Sequence, residues 1–137
     1  MMHAICKSTF IALGALALTT TATAQQSKNP VLSATIDDGV GSGHFTAVID
    51  QEAGQMCYML NIATHEAATG AHIHAGAKGE RGDVVIPLAT PVDGASGDCV
   101  DIGAEMAQAL IAGPGNYYVN IHTGSFPQGV VRGQLRG

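Results

Sequence analysis

Two short segments of the chain carry three histidines whose spacing suits metal chemistry. Residues 71–75 read AHIHA, and residues 117–123 read YYVNIHT. Successive side chains alternate between the two faces of a β-strand, so residues i and i+2 share a face. His72 and His74 would therefore point to one side of the first strand. On the second strand, His122 would point to the same side as Asn120. If the two strands are neighbours, the three imidazoles share one patch.

This pattern indicates a metal site with His72, His74 and His122 as ligands. A histidine pair at i and i+2 on a strand offers two imidazole nitrogens to one ion, and a third ligand makes a more usual site. Nitrogen ligands favour copper first and zinc second. His44, on the polar side of another expected strand, is a fourth candidate ligand. The alternative is a set of solvent-facing histidines on a sheet surface.

Other polar residues near these segments are expected to play supporting parts. Asn120 could orient an imidazole from outside the ligand set. Arg132 could steer an anion towards a metal ion or pair with an acidic side chain. His65 lies in a polar turn and is expected at the surface. Glu80 and Asp83 could each supply an oxygen ligand, although a solvated acidic loop is the simpler interpretation.

Two cysteines, Cys57 and Cys99, follow the N-terminal region. In an exported domain of this size, two cysteines most simply form one disulfide. Free thiols and a thiolate metal ligand are the alternatives. If the disulfide forms, a metal ion must use nitrogen and oxygen ligands.

The first 24 residues are typical of a signal peptide. Lys7 precedes an apolar run at 10–18, and residues 22–24 read ATA, a small-residue cleavage pattern. The run is short for a permanent membrane span, although an uncleaved anchor is the alternative. Cleavage would leave 113 residues with five Lys and Arg against eleven Asp and Glu, a net charge of −6. This charge argues against nucleic acid and anionic membranes as partners, and we expect a periplasmic or secreted protein.

The rest of the chain predicts one all-β domain at 31–137, after a loose tail at 25–30. Apolar and polar residues alternate in short segments about ten residues apart, with glycine-rich turns between them, as is typical of an antiparallel sandwich. The interrupting Pro87 predicts an edge position for its strand. Residues 101–111 predict one short helix, which Asp101 could cap, and residues 90–98 are expected to form a loop. The expected strands lie at 31–36, 44–50, 56–63, 71–75, 84–88, 117–123 and 130–135.

An ordered set of motifs across the domain resembles the CHRD domain family, named after chordin. The motifs are AHIHAG at 71–76, VVIPL at 84–88, LIAG at 110–113, YVNIHT at 118–123 and GVVRGQL at 129–135. The resemblance implies a Greek-key or immunoglobulin-like β-sandwich and an exported location. Animal chordins bind growth factors, but this chain has one copy and no cysteine-rich modules, so an inhibitory role of that kind does not transfer.

A weaker resemblance is to copper–zinc superoxide dismutases, which combine a β-sandwich, an H-x-H strand, a later histidine and a disulfide. It implies that His72, His74 and His122 could fill copper positions. The histidine-rich zinc loop of that family has no counterpart at 76–83. Two functions follow as expectations. The first is metal binding, with storage, transport or superoxide chemistry. The second is a non-catalytic module that binds a protein, a glycan or a second copy of the chain.

Overall fold

The computed structural model describes residues 29–137, so the predicted signal peptide at 1–24 lies outside the described residues. Within 29–137 the chain forms nine β-strands, one α-helix and one 3₁₀ helix. In chain order the elements are β1 (Val31–Ile36), β2 (Asp38–Gly39), β3 (Gly41–Asp50), β4 (Gln55–Thr64), β5 (Ala68–Ala75), β6 (Val84–Leu88), β7 (Ala95–Asp101), α1 (Gly103–Ala112), the 3₁₀ helix (Pro114–Asn116), β8 (Tyr117–Thr123) and β9 (Val131–Gln134).

The strands form two sheets, and each strand pairs with its neighbours antiparallel. The first sheet has the order β1-β3-β4-β7, and the second has the order β2-β9-β8-β5-β6. The predicted all-β sandwich with one short helix is confirmed. The strand that contains Pro87 is β6, and it lies at the edge of the second sheet, as its proline predicted.

The core lies between the two sheets and consists of alternate residues along the strands. Phe45 and Leu60 of the first sheet are fully buried, as are Ile73 and Ile121 of the second. Burial of such a side chain contributes roughly 1.5–3 kcal/mol. Because these residues face inwards, their sequence neighbours face outwards, and this alternation places the histidines on the outer face of the second sheet.

A disulfide joins Cys57 of β4 to Cys99 of β7, two residues that lie opposite each other in the first sheet. The predicted pairing is therefore confirmed, and neither sulfur is a free thiolate. The prediction of a loop at 90–98 holds for residues 90–94 and is wrong for residues 95–98, because β7 begins at Ala95. Its sequence, ASGDCVD, has few of the β-branched and aromatic residues that favour strands. The strand forms at the edge of the sheet, where it pairs with β4 along its whole length.

The helix begins two residues later than predicted. Asp101 ends β7, and its carboxylate oxygen accepts a hydrogen bond from the N–H of Gly103 at 3.0 Å. The N-cap position itself belongs to Ile102 and has no side-chain cap. The helix is held mainly by its apolar face, since Ala107 and Leu110 are buried in the core.

Candidate metal site

The three predicted ligands meet because β5 and β8 are neighbours in the second sheet. His72 lies opposite Asn120, and Gly70 lies opposite His122. Gly70 has no side chain, and both imidazoles lie next to the space that a Cβ atom there would occupy. All three histidines are half-buried on the outer face, away from the core. The sequence alternation therefore predicted the shared face, and the pairing of β5 with β8 meets the condition under which the grouping was predicted.

The distances within this histidine cluster, defined as His72, His74 and His122, are those of a compact ligand set. One ring nitrogen from each residue lies within 4.8 Å of the other two. Nδ1 of His72 is 3.1 Å from Nε2 of His122. Two nitrogens that bind one tetrahedral ion, each at about 2.0–2.1 Å, lie about 3.3 Å apart. The His72–His122 pair already has about that separation.

Backbone carbonyls fix the orientation of two of the three rings. Nδ1 of His74 donates a hydrogen bond to the carbonyl oxygen of Gly82 at 2.9 Å. Nδ1 of His122 donates to the carbonyl oxygen of Pro127 at 3.0 Å. A ring that donates through Nδ1 presents a lone pair at Nε2, which is the arrangement that metal-binding histidines usually show. Both Nε2 atoms are thus available as ligands.

Nε2 of His74 distinguishes a metal site from a simple pair of hydrogen-bonded histidines. His72 and His122 can satisfy each other, because Nδ1–H of one can donate to Nε2 of the other. Nε2 of His74 is buried and has no hydrogen-bond partner. A buried polar atom without a partner costs free energy, so its presence needs an explanation. A metal ion bound at this nitrogen would supply one.

The environment also favours the neutral form of His72, which is the form that binds metals. Burial lowers the pKa of the His72 imidazole, and the nearby rings of His122 and His74 lower it further when they carry charge. A lower pKa means that fewer protons compete with a metal ion near neutral pH.

An aromatic ring covers one side of the cluster. The buried ring of Tyr118 stacks on His74, with the ring centres 5.0 Å apart and the planes 10° apart. The guanidinium of Arg132 also lies over the ring of Tyr118, 3.4 Å from its centre. Tyr118 was missed in the sequence analysis, although it shares its strand face with Asn120 and His122, so the alternation alone could have found it.

Asn120 and Arg132, the two residues predicted to support the site, act through other groups and not on the imidazoles directly. The buried side chain of Asn120 donates to the carbonyl oxygen of Gln128 at 3.2 Å. It therefore binds the segment 124–130, which also provides the Pro127 carbonyl. Arg132 reaches His74 through the ring of Tyr118 and holds the loop 76–83. Its N–H groups donate to three oxygens, which belong to Ala77, Glu80 and Gln134.

The remaining candidates lie outside the cluster. His44 is exposed on β3 in the first sheet, so the idea that it is a fourth ligand is not supported. His65 is exposed in the turn between β4 and β5, as expected. Among the described residues, neither Glu80 nor Asp83 joins the ligand group. The carbonyls of Gly82 and Pro127 had no signal in the sequence, because any residue type has a carbonyl.

The sequence matches the CHRD domain family over residues 18–135, and the chain belongs to that family. The family match confirms the resemblance found in the motifs, whereas a relationship to copper–zinc superoxide dismutases is not shown. Searches among curated proteins and among solved structures gave no match.

CHRD domains are typically extracellular, and the disulfide fits this setting. No helix in residues 29–137 has the length and apolar character needed to cross a membrane.

Proposed function

We propose that this CHRD-domain protein is exported and binds one metal ion through His72, His74 and His122. The observation that carries the proposal is the buried, unpartnered Nε2 of His74, in a residue whose ring belongs to a group of three imidazoles with ring nitrogens within 4.8 Å of one another. The two carbonyl bonds that fix the rings of His74 and His122 support it, because they preorganise the ligands before the ion arrives.

Copper is the favoured ion, and zinc is the alternative. The ligand set offers imidazole nitrogens only, and both cysteines are engaged in the disulfide. Imidazole suits copper and zinc, whereas calcium and magnesium prefer oxygen ligands. Affinity for divalent copper normally exceeds that for zinc at the same nitrogen site.

Three protein ligands leave a coordination position for water or a small molecule. With copper, such a site would support storage and transport of the metal or a redox reaction. The redox reaction to test is superoxide dismutation. A copper ion held by His72, His74 and His122 would supply the one-electron couple for that reaction, which converts two superoxide ions and two protons to dioxygen and hydrogen peroxide.

The experiment is a metal titration of the purified, disulfide-intact protein after treatment with a chelator. We expect one copper ion per chain for the wild type and for His44→Ala, an exposed histidine in the other sheet. We expect no stoichiometric copper for His72→Ala/His122→Ala. Failure of the wild type to take up copper or zinc at micromolar concentration would refute the proposal.

The copper-loaded wild type would then be assayed for loss of superoxide, with the double variant as control. A rate no higher than that of the double variant would assign the site to storage or transport. The predicted export has its own test, which is the N-terminal mass of the protein recovered from the periplasm or medium. Cleavage after Ala24 is the expected result.

A further inference from the structure

The positive charges of the domain are gathered on one part of its surface. Residues 29–137 contain four Lys and Arg side chains and eleven Asp and Glu side chains. All four cations line two clefts that share Gly79 and Arg132. Arg81 lies in the first cleft, and Lys78 and Arg136 lie in the second.

The two open clefts share the lining residues Gly79 and Arg132, and together they are called the groove here. The first has a volume of about 540 Å³ and includes His74 and Tyr118, and the second has a volume of about 610 Å³. Each is large enough for one or two units of a small ligand. Their junction at a shared residue suits an extended ligand with repeated units.

Arg132 is a fixed cation at the centre of this groove. Its guanidinium is half-buried on Tyr118, and its hydrogen bonds go to two carbonyls and one amide oxygen, which are neutral groups. These bonds hold its position and do not themselves compensate its charge. Lys78, Arg81 and Arg136 are exposed around it and are free to move to a ligand.

The groove is therefore positive on an otherwise acidic domain. A groove whose charged side chains are mainly of one sign concentrates ligands of the opposite sign, and Arg and Lys bind carboxylate and sulfate oxygens with charge-assisted hydrogen bonds. Asp37 also lines the second cleft, and this carboxylate would favour a ligand that carries hydroxyl donors beside its negative charges.

The non-charged lining favours a sugar over a peptide. Phe126 and Val40 are large apolar residues that remain exposed at the first cleft. The amide of Gln128 and the hydroxyl of Thr35 lie along the same groove. An exposed ring can pack on the apolar face of a pyranose while amide and hydroxyl groups bind its hydroxyls.

We propose that this groove binds an acidic oligosaccharide whose sugar units carry carboxylate or sulfate groups. Arg132 and its three exposed neighbours bind the anionic groups, and Phe126 packs against a ring. The proposal does not depend on the metal site, because none of the four cations belongs to the histidine cluster.

The test is calorimetry of the metal-free protein, in chelator, with four size-matched probes. These are an oligogalacturonate, a heparin-derived oligosaccharide, a neutral cello-oligosaccharide and an oligoglutamate peptide. We expect at least one acidic sugar to bind in 50 mM NaCl, more weakly in 200 mM NaCl. The neutral sugar should not bind measurably, and the peptide should bind at least tenfold more weakly. Preference between the two acidic sugars identifies carboxylate or sulfate as the recognised group.

The decisive variant is Lys78→Gln/Arg81→Gln/Arg136→Gln. Each exposed ion pair contributes about two- to fivefold to affinity, so the triple change should weaken binding about tenfold or more. The matched control is Gln51→Glu/Gln55→Glu/Gln108→Glu. Its exposed sites line neither cleft, and it changes the net charge by the same three units. It should stay within about threefold of the wild type.

Four results would overturn the proposal. These are no binding of either acidic sugar at millimolar concentration, equal binding of the neutral sugar, equal binding of the peptide, or equal losses in the triple variant and its charge-matched control. The circular dichroism of both variants establishes that they are folded. Because the probes are tested without metal, an absent metal site would leave these results unchanged.

Discussion

Removal of the disulfide should destabilise the domain by an amount that depends on the length of the loop that the disulfide closes. Cys57 and Cys99 are 42 residues apart, and their bond closes that loop in the unfolded chain. The chain-entropy relation gives about 4 kcal/mol for a loop of this size. Cys57 is half-buried and Cys99 is exposed, so replacement by serine removes little core packing. The loop term should therefore dominate the effect of Cys57→Ser/Cys99→Ser.

The assay is urea unfolding of the wild type and of the double serine variant, followed by far-ultraviolet circular dichroism. We expect a decrease of about 4 kcal/mol in the free energy of unfolding, a large part of the stability of a typical domain. The folded variant should still bind metal with the wild-type stoichiometry, because the disulfide lies in the first sheet and the histidine cluster in the second. A decrease below about 1 kcal/mol would refute the reasoning that closure of the loop between Cys57 and Cys99 sets the contribution of the disulfide.

Three further predictions concern the surroundings of the histidine cluster. The pKa of His72 is lowered in the folded protein, so its contribution to stability is present above the unfolded value of about 6.5 and is lost as the pH falls towards the folded pKa. The urea midpoint of the metal-free wild type should therefore fall more between pH 7.5 and pH 5 than the midpoint of His72→Gln. Equal falls in the two proteins would contradict this prediction. Gly129→Ala should cost about 1–3 kcal/mol in thermal or urea unfolding, because Gly129 has a φ of 111° and a Cβ atom there would collide with Asn120; Gly115→Ala, with open space around it, is the neutral control. The chain has no tryptophan, so Cu(II) should quench tyrosine fluorescence mainly through Tyr118, and the same quenching in Tyr118→Phe would show that the ion binds elsewhere.

The sequence was sufficient to predict the face on which the histidines lie, because strand alternation is a local property. His72 and His74 share a face through their spacing, and the burial of Ile73 between them decides which face is outward. The pairing of β5 with β8 is different in kind. It joins residues about 50 positions apart, and the sequence does not predict it. The cluster could therefore be predicted only on the condition that the two strands are neighbours.

The features that the sequence did not predict depend on backbone position rather than on residue type. The carbonyls of Gly82 and Pro127 orient the ligands, and nothing about a glycine or a proline marks its carbonyl for this role. The strand β7 was missed for a related reason. Its polar sequence has weak strand preference, and it forms because β4 and the partner of Cys99 lie beside it.

The linear sequence also did not predict that the four cations lie together at one groove. Lys78 and Arg81 are more than 50 residues from Arg132 and Arg136, and the turns of the sandwich bring the two groups to one groove. From the sequence, Arg132 is predicted only to form an ion pair or to steer an anion. Its position over Tyr118, between two clefts, places it beside both the proposed metal site and the proposed ligand-binding groove.

The central claim is that three imidazole nitrogens converge on one metal ion. The most direct measurement is X-ray absorption spectroscopy of the copper-loaded and zinc-loaded protein, which counts histidine ligands and measures metal–nitrogen distances. We expect three imidazole nitrogens at about 2.0 Å in the wild type and in His44→Ala, and two at most in His74→Ala. A wild-type spectrum with fewer than three imidazoles, or one that His74→Ala leaves unchanged, would contradict the account.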